Sequence, residues 1–522
     1  MAATRAKRTS KRPAKRKTKR PATKRRSAKK KRPAKKKRPA KKKRTAAPRR
    51  GAGGGSRRPR AGGGTATTNP PVNNQSTAAG DGSLGPSGIR VRMYRVGFGD
   101  FFLLSLRTPA GPKHILIDCG VHACDIKTIH EAVTHMAEET GRNLSLVIMT
   151  HRHADHISGF AKCKDIFAQF NVEQVWMSWF EDPKDEDASK FQSSLAMVAE
   201  QLKMALAARS GPEDDELHFM AENITGEAQP LGAAAAGDGG SNGVALKVLH
   251  GGFKNQAPVT YYKAGDAPTL PKALVDAGLR AQILGPPHDL DLVKQMSGKN
   301  EEFLAAYDPD VAAPIQPFDV TLRVRGDNYP PAAFQVYGRK AIEHAVIDSQ
   351  PDMLAAKARQ ADNTLNNQSL VVLFTFNGKN LLFAGDAQWG NWENFLYGGK
   401  IGTGHNTLTD SSRKILSSLD FYKVGHHGST NATPKDALDA MREGVVAMVS
   451  TQPGCYGSTK SGTEVPRIPL LEAIEKKSDN QLARSDQIEV KTEAGNMEPP
   501  SDDVGALGKP FSAGDGFIDY AL

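Results

Sequence analysis

Acidic side chains are missing altogether from residues 1–60 of this 522-residue chain, although that stretch carries 30 of its 71 Lys+Arg. The other 462 residues hold 41 basic side chains against 56 acidic ones, a net of −15 beneath an overall +15. The chain is therefore two electrostatic objects, a cationic tail and an acidic body, and only the tail reads as a polyanion binder. Cysteine is scarce. Cys119, Cys124, Cys163 and Cys455 are too few and too scattered for a disulfide framework, which excludes a small disulfide-stapled scaffold and predicts a reducing interior. Long hydrophobic runs are absent as well: the apolar stretches at 101–106 and 144–149 fall far short of the ~18 residues that a membrane span needs, which predicts a soluble chain with no membrane span. The first residues develop no apolar core of a secretory signal, and Pro13, Pro21, Pro33 and Pro39 interrupt the amphipathic helix of a transit peptide. These absences together predict an intracellular protein, cytoplasmic or nucleoid-associated.

What the tail does contain is repetition. Between residues 9 and 44 a Lys/Arg-rich, Pro-Ala, Lys/Arg-rich phrase recurs. Mutual repulsion, prolines and few large apolar residues leave nothing to bury, which predicts disorder in the free chain over residues 1–60. Lys29, Lys30, Lys31, Arg32, Lys35, Lys36, Lys37, Arg38, Lys41, Lys42, Lys43 and Arg44 are the expected contacts to nucleic-acid phosphates, made without sequence preference through counterion release. A solvated polycation that adheres to any anionic surface is the blander alternative. Over roughly residues 5–50 the composition resembles the basic tails of linker histones and bacterial histone-like proteins. Residues 61–88, rich in Gly, Ala, Asn, Ser and Pro, read as a flexible linker.

From residue 89 the pattern changes to short apolar strands at 89–96, 101–106 and 114–117. A helix is predicted over 125–140, with Ile126, Ile129, Val133 and Met136 on one face and Gly141 as its stop. A strand of the buried type at 144–149 then runs into Thr150-His151-Arg152-His153-Ala154-Asp155-His156. Three imidazoles and a carboxylate within six residues, leaving a strand end in a tight turn, can converge on one point as a metal site requires. Nitrogen and carboxylate ligands suit zinc, with manganese or iron as alternatives by ligand type. Asp386 follows the apolar strand 380–383 and precedes a turn, where a carboxylate can bridge two cations; a helix N-cap for the segment beginning near Trp389 is the alternative. Of His426 and His427, strand alternation allows only one to face the site easily; His426 is favoured as the ligand and His427 as its supporting partner or a transition-state donor.

In combination these segments resemble the metallo-β-lactamase superfamily, and within it the hydrolase-like domain of ComEC-type DNA-uptake proteins. Val96-Gly97-Phe98-Gly99-Asp100 is similar to that family's VGQGD turn, Leu116-Ile117-Asp118-Cys119-Gly120 to its LIDxG strand end, and Asn366-Asn367-Gln368-Ser369-Leu370-Val371 to its NNxSLV strand. Leu382-Phe383-Ala384-Gly385-Asp386 resembles the strand delivering the bridging aspartate, and Lys423-Val424-Gly425-His426-His427-Gly428-Ser429 the KVxHHGS segment. The resemblance spans about residues 90–455. It implies an α/β fold, the four-layer αβ/βα sandwich, over 89–480, with an insertion at about 165–280 and a C-terminal extension at 481–522. It further implies two divalent metal ions: His151 and His153 on the first, Asp155 and His156 on the second, Asp386 on both, with His426 or His427 as the last histidine. Asp155, Asp386 and His427 are the expected catalytic groups. The pattern departs at one place, since Gly285 stands where the family has a third histidine for the first metal; His288 and His250 are the candidates to replace it.

The insertion is expected to hold a helix over 185–209, with Phe191, Leu195, Val198, Leu202 and Leu206 on its core face. Trp176, Trp179 and Phe180 are expected in core packing, with the lining of a substrate cleft as the alternative. The functional expectation is a metal-dependent hydrolase, possible substrates being phosphodiesters, other esters or lactams, held on nucleic acid by its tail. The competing expectation is a noncatalytic nucleic-acid-binding scaffold with a degenerate metal site.

Overall fold

The computed structural model describes residues 84–206, 242–298, 361–400, 407–457, 459 and 462–522. All of them belong to the second of the chain's two units, Gln75–Leu522. The basic tail, nearly all of the linker and the middle of the expected insertion lie outside the described residues.

Among the described residues, fourteen strands build two large mixed sheets. The first six are β1 (Ile89–Tyr94), β2 (Phe101–Leu106), β3 (Lys113–Cys119), β4 (Leu146–Ile148), β5 (Val175–Ser178) and β6 (Val259–Tyr262). They are followed by β7 (Arg280–Gly285), β8 (Val371–Phe376), β9 (Lys379–Phe383), β10 (Phe421–Lys423), β11 (Val446–Val449) and β12 (Leu482–Arg484). The chain closes with β13 (Phe511–Gly514) and β14 (Phe517–Ala521). One sheet runs β13-β14-β1-β2-β3-β4-β5-β6 and the other β12-β11-β10-β9-β8-β7. In both, hairpin-joined antiparallel strands pass into a parallel half: β3 to β6 in the first sheet, β9 to β12 in the second.

Residue alternation explains why the two sheets meet. Val91 and Met93 of β1, Phe102 and Leu104 of β2, Val372 and Phe374 of β8 and Phe383 of β9 share one buried cluster between the sheets. The intervening residues face outward into helices. Phe101 and Leu103 pack with the helices Ile129–Glu139 and Ala154–Lys162, while Val371, Leu373 and Leu382 pack with Trp389–Tyr397 and Ile468–Lys477. Strands covered on both faces are apolar at nearly every position, which is why β2 and β8 read as hydrophobic runs interrupted only by Ser105 and Thr375. On β1 the outward positions are Arg90 and Arg92, which are buried yet paired with Glu139, and Arg92 also holds Asp519 at 2.7 Å.

The expected insertion contributes β5 and β6 to the first sheet, and the expected C-terminal extension supplies β12, β13 and β14. The helix anticipated at 185–209 is seen over Glu186–Leu206, with Phe191, Leu195 and Leu202 buried against Trp179, Phe180, Val293 and Leu365. Trp176, Trp179 and Phe180 are all buried. Among the described residues no helix is long and apolar enough to cross a membrane.

The cysteines form no framework, but one pair does join. Cys124 and Cys455, 331 residues apart, are disulfide-bonded with their Cα atoms 5.8 Å apart, while Cys119 and Cys163 are free and buried. Sequence separation hid this pairing, because only the fold brings the loop after β3 beside the loop after β11. Unfolding the chain without reductant should therefore expose two thiols, and four after reduction, in a colorimetric thiol titration. Four thiols without reductant would refute the pairing.

Candidate metal centre

The site is assembled from strand ends. β4 stops at Ile148 and a helix begins at Ala154, so His151 and His153 lie in the turn between them and Asp155 and His156 in the first helical turn. A carboxylate is favoured there by the helix dipole. Asp386 follows β9, and its backbone N–H donates to Ser369 Oγ at 2.9 Å. Gly385 just before it has φ +53°, and a Cβ there would lie 2.9 Å from Thr150 Cβ and 3.0 Å from Ser369 Cβ, so only glycine lets Asp386 approach the His151 turn. His426 and His427 follow β10 in a short 3₁₀ turn, both with left-handed backbones at φ 45° and 50°.

Four side chains converge. His156 Nε2 lies 3.1 Å from Asp386 Oδ2, and His427 Nε2 lies 3.1 Å from Asp155 Oδ2 and 3.5 Å from Asp386 Oδ2. One ligand atom from each of Asp155, His156, Asp386 and His427 falls within 4.8 Å of all the others. A further layer orients them. His156 Nδ1 contacts Asp118 Oδ2 at 2.8 Å, and Asp118 accepts from the Thr150 backbone N–H at 2.8 Å and from its hydroxyl at 2.6 Å. His427 Nδ1 sits 2.9 Å from the Ser450 carbonyl. With Nδ1 as the donor, Nε2 is the nitrogen that loss of the second proton leaves free to ligate, the arrangement that ligating histidines require. Lys423 is buried between Asp100 and Asp386, 3.9 Å from the latter, and donates to the Gly385 carbonyl at 3.2 Å.

Burial and charge oppose each other here. Desolvation alone would raise the Asp386 carboxyl, but His156 and His427 hold it well below the ordinary carboxylate range. Desolvation would lower His156, yet Asp386, Asp118, Asp155 and Asp100 drive it well above the usual imidazole value. His151 has no such neighbours in excess, and burial together with His156 and His153 pushes it well below. In the bare protein, protons on histidine thus balance the buried carboxylates. The residues fit a metal on that chemistry: a divalent cation satisfies the same carboxylates and takes the nitrogens in place of those protons. The Nε2 atoms of His151, His153 and His156 are buried and make no hydrogen bond, the latter two facing carboxylates of Asp362 and Asp386 at 3.3 and 3.1 Å.

Of the pair after β10, His427 joins the four-residue cluster, and His426 turns to Ser429 Oγ at 2.6 Å, Asn431 Oδ1 at 3.0 Å and Asn366 Nδ2 at 3.3 Å. Strand alternation does not choose between them because both lie in the turn, past the strand end. His288 is drawn elsewhere: its Nε2 lies 2.9 Å from Asp185 Oδ2, and its ring centroid lies 4.3 Å from that of Trp179, the planes tilted by 51°. His250 is exposed, with Nδ1 2.8 Å from its own helix carbonyl at Leu246. The tail residues Lys29 to Arg44 lie outside the described residues. Asp118, Asp100 and Lys423 were visible only as letters within strand-end motifs, and Asp362 had no sequence signal at all.

At Gly285 a Cβ would sit 1.9 Å from Asn391 Oδ1, so Asn391, which donates to the Ser369 carbonyl at 2.9 Å, occupies the space a side chain there would need. Gly285→His should therefore destabilise the chain by about 1–3 kcal/mol, as overpacking does. A chemical denaturation midpoint unchanged from wild type would show that Asn391 yields freely.

No family model matches this sequence, and no curated protein does. Among solved structures, a beta-lactamase domain protein from Burkholderia ambifaria is similar at 16% identity and a TM-score of 0.21, over 40% of this chain and 51% of that one. This chain thus spans about half the length of that relative.

Proposed function

We propose that this protein is a metal-dependent hydrolase of the metallo-β-lactamase type, acting on phosphodiesters and held on nucleic acid by residues 1–60. The observation that carries the reading is the buried convergence of Asp155, His156, Asp386 and His427 at strand ends of two facing sheets. The shared inter-sheet core with helices on both outer faces supports the four-layer αβ/βα assignment. These four residues would hold one divalent cation, zinc first, manganese or iron by the same ligand types. Bound there, it would supply an acidified water and a Lewis acid for the substrate oxygen.

The chain's own groups do the remainder. Asp118 and the Ser450 carbonyl fix the imidazoles of His156 and His427 so that each Nε2 faces inward. Asp155 is the most exposed member, its side chain 15% accessible against 2% or less for the other three. It is therefore the group placed to meet and orient incoming water and to accept its proton. Lys423 neutralises Asp100 beside Asp386, so the inner carboxylates are tolerated without solvent.

The test is turnover by the full-length, metal-loaded chain of bis(p-nitrophenyl) phosphate beside a chromogenic β-lactam and a thioester. Phosphodiester hydrolysis that a chelator abolishes and zinc restores is the expected result. Hydrolysis of the lactam or thioester alone would move the substrate class. Absence of all three would favour a nucleic-acid-binding scaffold, the reading that the blocked position at Gly285 favours.

A further inference from the structure

Neither sulfur of the Cys124–Cys455 disulfide belongs to the cluster of Asp155, His156, Asp386 and His427, yet both loops that it joins are tied to that cluster. The loop after β3 is laced to the turn at 97–100. The His122 backbone N–H donates to the Phe98 carbonyl at 3.0 Å, and that of Gly120 to the Asp100 carbonyl at 2.9 Å. Asp100 in turn donates its backbone N–H to the carbonyl of Asp155 at 2.8 Å. Gly97, at φ +98°, packs directly against Cys124, since a Cβ there would collide with the Cys124 carbonyl. The segment after β11 leaves and rejoins the His427 turn. The Ser450 carbonyl accepts from His427 Nδ1, the Ser450 hydroxyl donates to the Gly99 carbonyl, and the Arg467 backbone N–H donates to the Gly428 carbonyl at 2.7 Å. Phe98 joins the two sides: its ring centroid is 4.3 Å from that of His427 and 4.8 Å from that of Tyr456, the neighbour of Cys455.

Packing holds the second segment lightly. Of the described residues from 452 to 465, none buries an apolar side chain, and Tyr456 is 39% exposed. The Val465 backbone N–H reaches back to the Tyr456 carbonyl at 3.2 Å. A segment with so few buried apolar contacts sits at the low end of local stability, so the covalent link to Cys124 restrains it where burial does not. That link is also open to reagents. Cys124 is exposed and Cys455 half-buried, whereas the free Cys119 and Cys163 are buried.

We propose that Cys124–Cys455 is a reversible redox-modification site, opened by a dithiol and re-formed by a disulfide oxidant, whose state sets how firmly residues 450–457 hold the His427 turn. Opening begins when one thiolate of the dithiol attacks Cys124 Sγ. The S–S bond breaks, Cys455 leaves with its electron pair and takes up a proton, and a mixed disulfide joins Cys124 to the reductant. The second thiolate of the dithiol then attacks the reductant's own sulfur in that mixed disulfide and releases Cys124, which is protonated in turn. Two electrons and two protons have passed from the dithiol, now a cyclic disulfide, to the cystine. A disulfide oxidant reverses both steps. With the bond open, Tyr456 no longer has a covalent hold to keep it against Phe98, and Phe98 loses that backing against His427. The consequence for the metal rests on the metallohydrolase reading; the loosening of 450–457 does not.

Folded full-length protein, untreated or reduced with dithiothreitol and desalted under argon, supplies the test. Reduction should add two titratable thiols without denaturant. In metal-free protein, hydrogen exchange should quicken in peptides covering 450–457 and 120–128 and stay unchanged in those covering β8 and β9. Zinc affinity, measured by competition with a chromophoric chelator, should fall by about tenfold or more, as when an orienting partner of a metal ligand is lost, and return on reoxidation with oxidised glutathione. A Cys124→Ser, Cys455→Ser variant should match reduced wild type with or without dithiothreitol, which excludes capture of zinc by the new thiols. A disulfide that resists dithiothreitol in the folded chain would overturn the inference. So would unchanged exchange at 450–457, faster exchange throughout the body, or unchanged zinc affinity in a chain that binds zinc. Loosening of 450–457 in a chain that binds no zinc would uphold the cystine site and sink the metallohydrolase reading.

Discussion

Asp386→Ala should strip the centre formed with Asp155, His156 and His427 of its metal and lower phosphodiester turnover by about 10³-fold or more, roughly 4 kcal/mol of transition-state stabilisation. The size follows from how many contacts converge on this carboxylate. Its Oδ2 faces His156 at 3.1 Å and His427 at 3.5 Å, and its Oδ1 accepts from the His426 backbone at 3.1 Å. Removing it takes away an inner ligand, the hydrogen bond that positions the His426-His427 turn, and the counter-charge to two imidazoles. Asp386→Asn keeps the volume and separates the electrostatic loss from collapse of the turn: metal content should still fall while the apo chain melts close to wild type. Elemental analysis and steady-state rates on the same preparations check both. Equal metal in wild type and in a His151→Ala, Asp386→Ala double variant would refute the assignment of the centre to these strand ends.

Deleting residues 1–60 should abolish DNA and RNA binding while metal content and small-substrate turnover stay intact. The deletion removes 30 positive charges and no negative one, turning a +15 chain into one of −15. An acidic body repels phosphates at long range except where bound metal cancels its charge, whereas a cationic tail can neutralise many phosphates at once. Binding by the full-length chain should fall by about 0.9 log units per log unit of salt for each phosphate neutralised on duplex DNA, with little dependence on sequence. Titrations of full-length and truncated protein at several salt concentrations measure this directly. If the truncated body kept the affinity of the full chain, the binding surface would have to be sought on the body instead.

Much of the body was legible from order along the chain. The helices at Ile129–Glu139 and Glu186–Leu206 follow from apolar spacing, and the strands β1, β2 and β3 from short apolar runs. The turn after β4 stood out because four metal-competent side chains sit within six residues. Strand ends, turns and helical faces are local, and local geometry repeats every two or 3.6 residues wherever the chain goes.

Which distant residues meet was decided by packing alone. Two sheets closing on one core bring the loop after β10 to the turn after β4, 272 residues apart in sequence, and there His427 rather than His426 reaches Asp155. The same closure lays Asn391 across Gly285, joins Cys124 to Cys455 and sets Asp362 against His153. By itself the sequence determined the charge division between tail and body, the strand-and-turn pattern of the body and the metal-competent side chains of one heptapeptide. The tertiary structure decided which partners complete that chemistry, because contacts between residues hundreds of positions apart depend on how sheets stack and turns fold, and no local period encodes that.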